Sequence, residues 1–331
     1  MSLPATLKNR LRLPLIAAPM FLVSGPALVK AACRAGIIGS FPTANCRTVE
    51  ELDGWLADMS DDLLRAADET GRPAAPLCPN LIVHRSNPRV PDDLAAVLRH
   101  KAEIVITSVG SPEPVLKPLK DSGCLVLADV ASVRHAEKAV TAGVDGLVLL
   151  TAGAGGQTGW VNPFAFVRAV RKFWDGIVVM AGGMADGQAV AAAQALGCDL
   201  AYMGTKFIAT RESLAKESYK EMLVRSRLDD VLLTRAFTGL ETNMLRPSIA
   251  AAGLDPDNLP VRGAIDIAKD INAAERDKRD AEGPDAKRWK DIWSAGHSVS
   301  GVSDVPSVAE LVERTAAEYA EARRSVQGVQ P

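Results

Sequence analysis

The chain's 331 residues, 47% apolar and 24% charged with a formal net charge of −2, have an ordinary globular composition, which excludes disordered and fibrous classes. No long Lys/Arg run is available to neutralise a nucleic-acid backbone or an anionic lipid surface, and no apolar run reaches the roughly 18 residues of a membrane span. Small-molecule partners are therefore favoured, and the low aromatic content suits helices packed on parallel strands better than an all-β sandwich.

The N-terminal MSLPATLKNRLRLPLIAAPM is basic, but its short apolar stretch leads straight into a strand-like run and does not read as a signal peptide. Five cysteines, Cys33, Cys46, Cys78, Cys124 and Cys198, are scattered without CxxC spacing, so neither a zinc signature nor a disulfide framework emerges. A reducing cytoplasm is the simplest home. From here a unit of short apolar run plus helical stretch returns at intervals of roughly 20 to 35 residues, as βα units do. The predicted strands are Leu15–Ala18, Ile37–Phe41, Pro76–Val83, Ile104–Val109, Cys124–Val130, Gly146–Ala152, Ile177–Ala181 and Leu200–Gly204. All are continuously apolar, as strands buried on both faces of a parallel sheet must be.

The segments AGIIGSF, SGCLVLADV, AGVDGLVLL and LGCDLAYMG each place a glycine between a helical stretch and the next strand, where it can adopt the left-handed conformation that ends a helix. Helices are predicted at Ser132–Ala142 and Asp186–Leu196, with Ser and Asp as N-caps. Eight like units favour an α/β fold closed into a (β/α)8 barrel over an open doubly wound sheet. After Thr205 the pattern changes. Residues 211–290 read as a helical excursion, with INAAERDKRDAEGPDAKRWKD its most polar stretch, that covers the barrel mouth or mediates assembly, for instance as a homodimer. The barrel then comprises residues 1–210 and 291–331, a last helix over Val305–Arg324 packs back on it, and SVQGVQP is a frayed tail.

Active sites of such barrels lie at the C-terminal ends of the strands. Those ends here carry Ala18-Pro19-Met20, Asn80, Ser108 with Gly110, Asp129, the run TAGAGGQTG, Ala181-Gly182-Gly183 and Met203-Gly204-Thr205. Glycines on the last two consecutive strands suit a phosphate held by backbone N–H groups, with the Thr205 hydroxyl as a further donor, although one such glycine by itself is accounted for by a tight turn. The run over Gly153–Gly159 is a mouth loop; it matches neither GxGxxG, since Thr158 stands at the third glycine, nor a P-loop, and it suits a backbone bed for a flat ring. Tyr202 and Met203 read as core packing.

IAAPM, Asn80, AGVDGLVLLTAGAGGQTG, VVMAGGMADG and LAYMGTKFIAT, in this order through residues 13–210 and resumed at WSAGHSVSGV, resemble the nitronate monooxygenase family, the 2-nitropropane dioxygenases. The resemblance implies an FMN-binding TIM barrel. It places Ala18, Pro19, Met20 and Asn80 near the isoalloxazine ring, Ala154, Gly155 and Gly156 beside it, and Gly182, Gly183, Gly204 and Thr205 at the phosphate. It further implies oxidation of alkyl nitronates with oxygen as the final acceptor. One departure stands out: where the family loop carries a histidine, this chain has Gln157, which cannot take up a proton near neutral pH. A nitronate is already an anion and needs no base; a neutral nitroalkane does.

Other residues for the missing role are sparse. His100 and His135 sit on helices, His84 follows the third strand, and His297 lies in the SAGHSVS segment whose family counterpart approaches the flavin. Asp129 is a second candidate for base or cofactor contact, the alternative being a cap at Ser132 or a pair with Arg134. Two other functions fit the pattern: an NAD(P)H-dependent FMN reductase acting on a quinone or enoyl thioester, and a non-redox barrel for a phosphorylated metabolite. The second is disfavoured because no strand end delivers a catalytic pair; Lys206 alone follows the phosphate motif.

Overall fold

The computed structural model describes residues 3–259 and 291–328. Eight parallel strands close into a barrel: β1 (Leu15–Ala17), β2 (Ile38–Pro42), β3 (Leu77–Ile82), β4 (Ile104–Ser108), β5 (Leu125–Val130), β6 (Gly146–Leu150), β8 (Ile177–Ala181) and β9 (Leu200–Met203), with β9 pairing back to β1. Each coincides with an expected strand to within two residues at either end, the differences arising where the chain leaves the sheet for its loops.

Alternation along the strands builds two cores. Leu15, Ala17, Val126, Ala128, Leu147, Leu149, Val178, Met180, Ala201 and Met203 face outward against the helices. Ile16, Ala18, Leu127, Val148, Val179, Ala181, Leu200 and Tyr202 fill the barrel interior. Both faces are apolar, which is why the strands read as unbroken hydrophobic runs.

The helices start and stop where local chemistry dictates. Thr48, Ser132 and Asp186 accept the amides of Glu51, His135 and Ala189, while Gly71, Gly143 and Gly197 end the same three helices in left-handed conformation. The terminal helix, Val308–Gly328, begins three residues later than expected and runs into the stretch expected to fray. It packs against Gly187–Leu196 and Pro26–Arg34, and a Cβ at Gly187 would lie 2.1 Å from the Tyr319 amide, so this contact tolerates no side chain.

The insertion differs from the expected helical excursion. Helices Glu217–Arg225 and Arg246–Ala251 flank an antiparallel hairpin of β10 (Val231–Thr234) and β11 (Thr242–Leu245). β11 in turn pairs with β7 (Gly156–Gln157), a two-residue strand inside the segment expected to be purely loop. The apolar runs VLLT and TNML are too short to announce themselves as strands amid charged sequence. Most of the polar INAAERDKRDAEGPDAKRWKD stretch lies outside the described residues. No helix of the described residues is long and apolar enough to cross a membrane.

Candidate active site

A cavity of about 360 Å³ opens at the C-terminal ends of the barrel strands. Its floor is made of inward-facing positions at the C-terminal ends of seven barrel strands: Ala18, Asn80, Ser108, Asp129, Leu150, Ala181 and Tyr202. The structure thus brings together all the cofactor residues expected from the sequence, since Ala18, Pro19, Met20, Asn80, Asp129, Ala154, Gly155, Gly156, Gly182, Gly183, Gly204 and Thr205 all line this one space, as does Gln157. Tyr202, expected to be core packing alone, also lines it, because its inward position lies one layer above Leu200; Met203 faces outward and is fully buried.

The backbone leaves β8 through two consecutive glycines in left-handed conformation. Gly182 has φ +113° and a Cβ there would sit 2.4 Å from the Thr151 hydroxyl, whereas Gly183, at φ +74°, has open space where a Cβ would stand. Both positions require glycine, one for close packing and both for conformation. Thr205 has a task not read from the sequence: its hydroxyl accepts the Gly296 amide at 2.9 Å, tying the 294–298 segment to the end of β9.

That segment corrects one expectation. Ser294, Ala295 and Ser298 line the cavity, but His297 does not; it is exposed, its ring against Gly153, where a Cβ would lie 2.6 Å from Nδ1. The chain turns in a 3-10 helix at His297, and with three residues per turn His297 and Ser300 share the exposed side while Ser298 and Val299 between them are buried. The remaining histidines are elsewhere: His84 Nδ1 meets the Ser86 hydroxyl at 2.7 Å, His100 Nε2 meets Asp53 at 2.9 Å, and His135 is an exposed helix residue.

Asp129 neither caps nor pairs. Ser132 caps the following helix itself, Arg134 is exposed, and Asp129 forms no ion pair among the described residues. One of its carboxyl oxygens, Oδ1, is enclosed without a hydrogen-bond partner in the described residues. Burial alone pushes its pKa up to about 7, because the charged form is poorly solvated there.

Several supporting residues carried no signal in the sequence. Asn45 donates to the Met20 and Ser24 carbonyls at 3.0 and 2.8 Å and accepts the Leu22 amide at 2.9 Å, fixing the loop after β1. The loop is held under strain, with Leu22 at φ +59°. Buried Asn243 of β11 donates to the Ala154 carbonyl at 2.7 Å and so steadies the loop carrying Gln157. On the open side, Tyr219 stacks on Trp293 with ring centroids 4.9 Å apart, and Lys216 pairs with Asp291 at 2.9 Å. Trp293 opens the WSAGHSVSGV segment quoted from the sequence, whereas Tyr219 sits in the insertion with no motif to mark it.

The family model described as nitronate monooxygenase matches residues 5–318. A nitronate monooxygenase of Paraburkholderia phytofirmans is 30% identical over 305 residues, covering 80% of this chain and 83% of that protein. Among solved structures, FabK from Thermotoga maritima superposes with a TM-score of 0.76 at 23% identity, over 98% of this chain and 97% of that one. A nitroalkane oxidase from Streptomyces ansochromogenes gives 0.73 at 25% identity, over 97% and 100%.

Proposed function

Because this chain belongs to the nitronate monooxygenase family, we propose that it is an oxidoreductase that binds FMN in the barrel-mouth cavity and oxidises small alkyl nitronates, with oxygen as the final acceptor. The observation that carries this reading is the glycine shelf at the ends of β8 and β9, open to the same cavity that Gly155, Gly156 and Gln157 border. Gly182, Gly183, Gly204 and Thr205 would hold the phosphate; Ala18, Pro19, Met20, Asn80, Ala154, Gly155 and Gly156 would border the ring. When bound, the flavin supplies the chemistry by taking two electrons from the substrate and passing them to oxygen.

The protein's own share is binding and orientation. Gln157 can donate an amide N–H to an anionic nitro group but cannot remove a proton, so nitronates are preferred over nitroalkanes. The described part of the insertion shapes the substrate side through Leu214, Ala215, Lys216, Tyr219 and Thr238, with Lys216 paired to Asp291 at 2.9 Å. The similarity to a nitroalkane oxidase supports a nitro compound as the substrate class.

The test is the visible spectrum of FMN-reconstituted protein under anaerobic conditions. Bleaching of the flavin band by an alkyl nitronate alone is the expected result. Bleaching only by NADH or NADPH would make this a reductase for another acceptor, and failure to take up FMN would overturn the flavoenzyme reading.

A further inference from the structure

The cavity's inventory of charge is short. Among the described residues lining it, only Asp129 and Lys216 bear an acidic or basic side chain, and they occupy opposite levels: Lys216 at the mouth, already paired with Asp291, and Asp129 on the floor. Below Asp129 the inward position of the same strand is Leu127, part of the closed apolar interior. A ligand therefore reaches the carboxyl group only from above, and whatever flat group lies on the floor meets it first.

We propose that Asp129 is a hydrogen-bond donor to the flavin ring, in its carboxylic-acid form, and that its ionisation sets how readily the bound flavin accepts electrons. This rests on the reading of the cavity as a flavin site. A protonated carboxyl has an O–H to donate, and an electron-rich ring atom is the partner that Oδ1 lacks in the protein itself. An ionised carboxylate in the same place sets a negative charge against a ring that becomes more electron-rich on reduction, and so opposes reduction.

The surroundings leave this group free to titrate. Facing it are Tyr202 of β9 and Cys78 of β3, and burial raises both well above their ordinary values, so they stay neutral. β4 contributes Ser108, which Asn80 engages at 3.1 Å, and β6 contributes Val148 and Leu150. From the helix after β5, Arg134 and His135 are exposed and do not line the cavity. With no cation beside it among the described residues, Asp129 changes charge near pH 7 under the influence of burial alone.

The measurement is the midpoint potential of the bound flavin in wild type, Asp129→Asn and Asp129→Ser holoenzymes, by anaerobic equilibration with a reference dye at about pH 5.5 and about pH 8.5. At the lower pH the wild type and Asp129→Asn are expected to coincide, since both present a neutral group. At the higher pH the wild type is expected to lie below both variants, because it alone carries the negative charge. Potentials that keep a constant separation, or none, across the pH range in both variants would overturn the role of Asp129 while leaving the flavoenzyme reading intact. A wild-type protein that takes up no FMN would overturn both.

Discussion

A carboxyl group whose charged form is poorly solvated in the folded protein also makes stability depend on pH, independently of any ligand. Asp129 binds its proton up to about pH 7 in the folded chain but only to about 3.8 when unfolded. Between these values the folded state holds more protons than the unfolded one, so stability falls as pH rises and levels off above 7. Roughly three units at about 1.4 kcal/mol each put the upper bound near 4 kcal/mol, reduced by water entering the cavity. Asp129→Asn is therefore expected to raise the thermal midpoint of the flavin-free protein at pH 8 by more than it does at pH 5, as scanning calorimetry at both values would show; an equal effect at both contradicts the raised pKa. At the facing loop, Gln157→His is expected to increase turnover of neutral nitroalkanes relative to nitronates, read from initial oxygen consumption with each substrate form. An unchanged ratio would count against proton removal as the missing step.

At the scale of elements, the barrel strands and their caps were legible because each rests on local rules: unbroken apolar runs, Ser132 and Asp186 before helices, Gly143 and Gly197 after them. The cavity floor was legible for the same reason, since strand ends are fixed once strands are. The lid side was not. The Asn243 bond to Ala154, the pairing of β11 with β7 and the Tyr219–Trp293 stack exist through contacts between residues separated by more than seventy positions, for which no local pattern codes. His297 shows the reverse error: a motif located the segment correctly, but only the turn geometry decides which of its side chains faces inward. The element-scale prediction concerns the clamp from β11. Asn243→Ala leaves the Ala154 carbonyl without its buried donor, a loss of about 1–3 kcal/mol in local stability. Loosening of the Gln157 loop is expected to raise KM for the nitronate more than it lowers kcat, and an unaltered KM would remove the hairpin from substrate positioning.

For the whole molecule, cavity, inner core and outer core share the same strands, so ligand binding reports on the entire barrel. FMN at about a hundred times its Kd contributes about 2.7 kcal/mol to the folded state, and for a chain of this size that corresponds to a rise in Tm of roughly 4 °C. Differential scanning fluorimetry across an FMN series tests this; an unmoved transition means the shelf does not hold the cofactor. The terminal helix belongs to the same cooperative unit. Its backbone contact at Gly187 links residues far apart in sequence, so Gly187→Ala is expected to lower Tm and to shorten protection of the helix in hydrogen exchange together.

The strand β7 is only two residues long, and one of the two is Gln157. Side chains in a strand alternate faces, so its pairing with Thr242 and Asn243 admits no gradual rotation of that amide. A change of register by a single residue would turn the Gln157 side chain to the opposite face of the ribbon. Alteration of the insertion thus acts on the amide as a toggle with two settings, and substitutions far from the mouth, if they reset the ribbon, would switch the polar contact off wholesale while the barrel beneath stayed as it was.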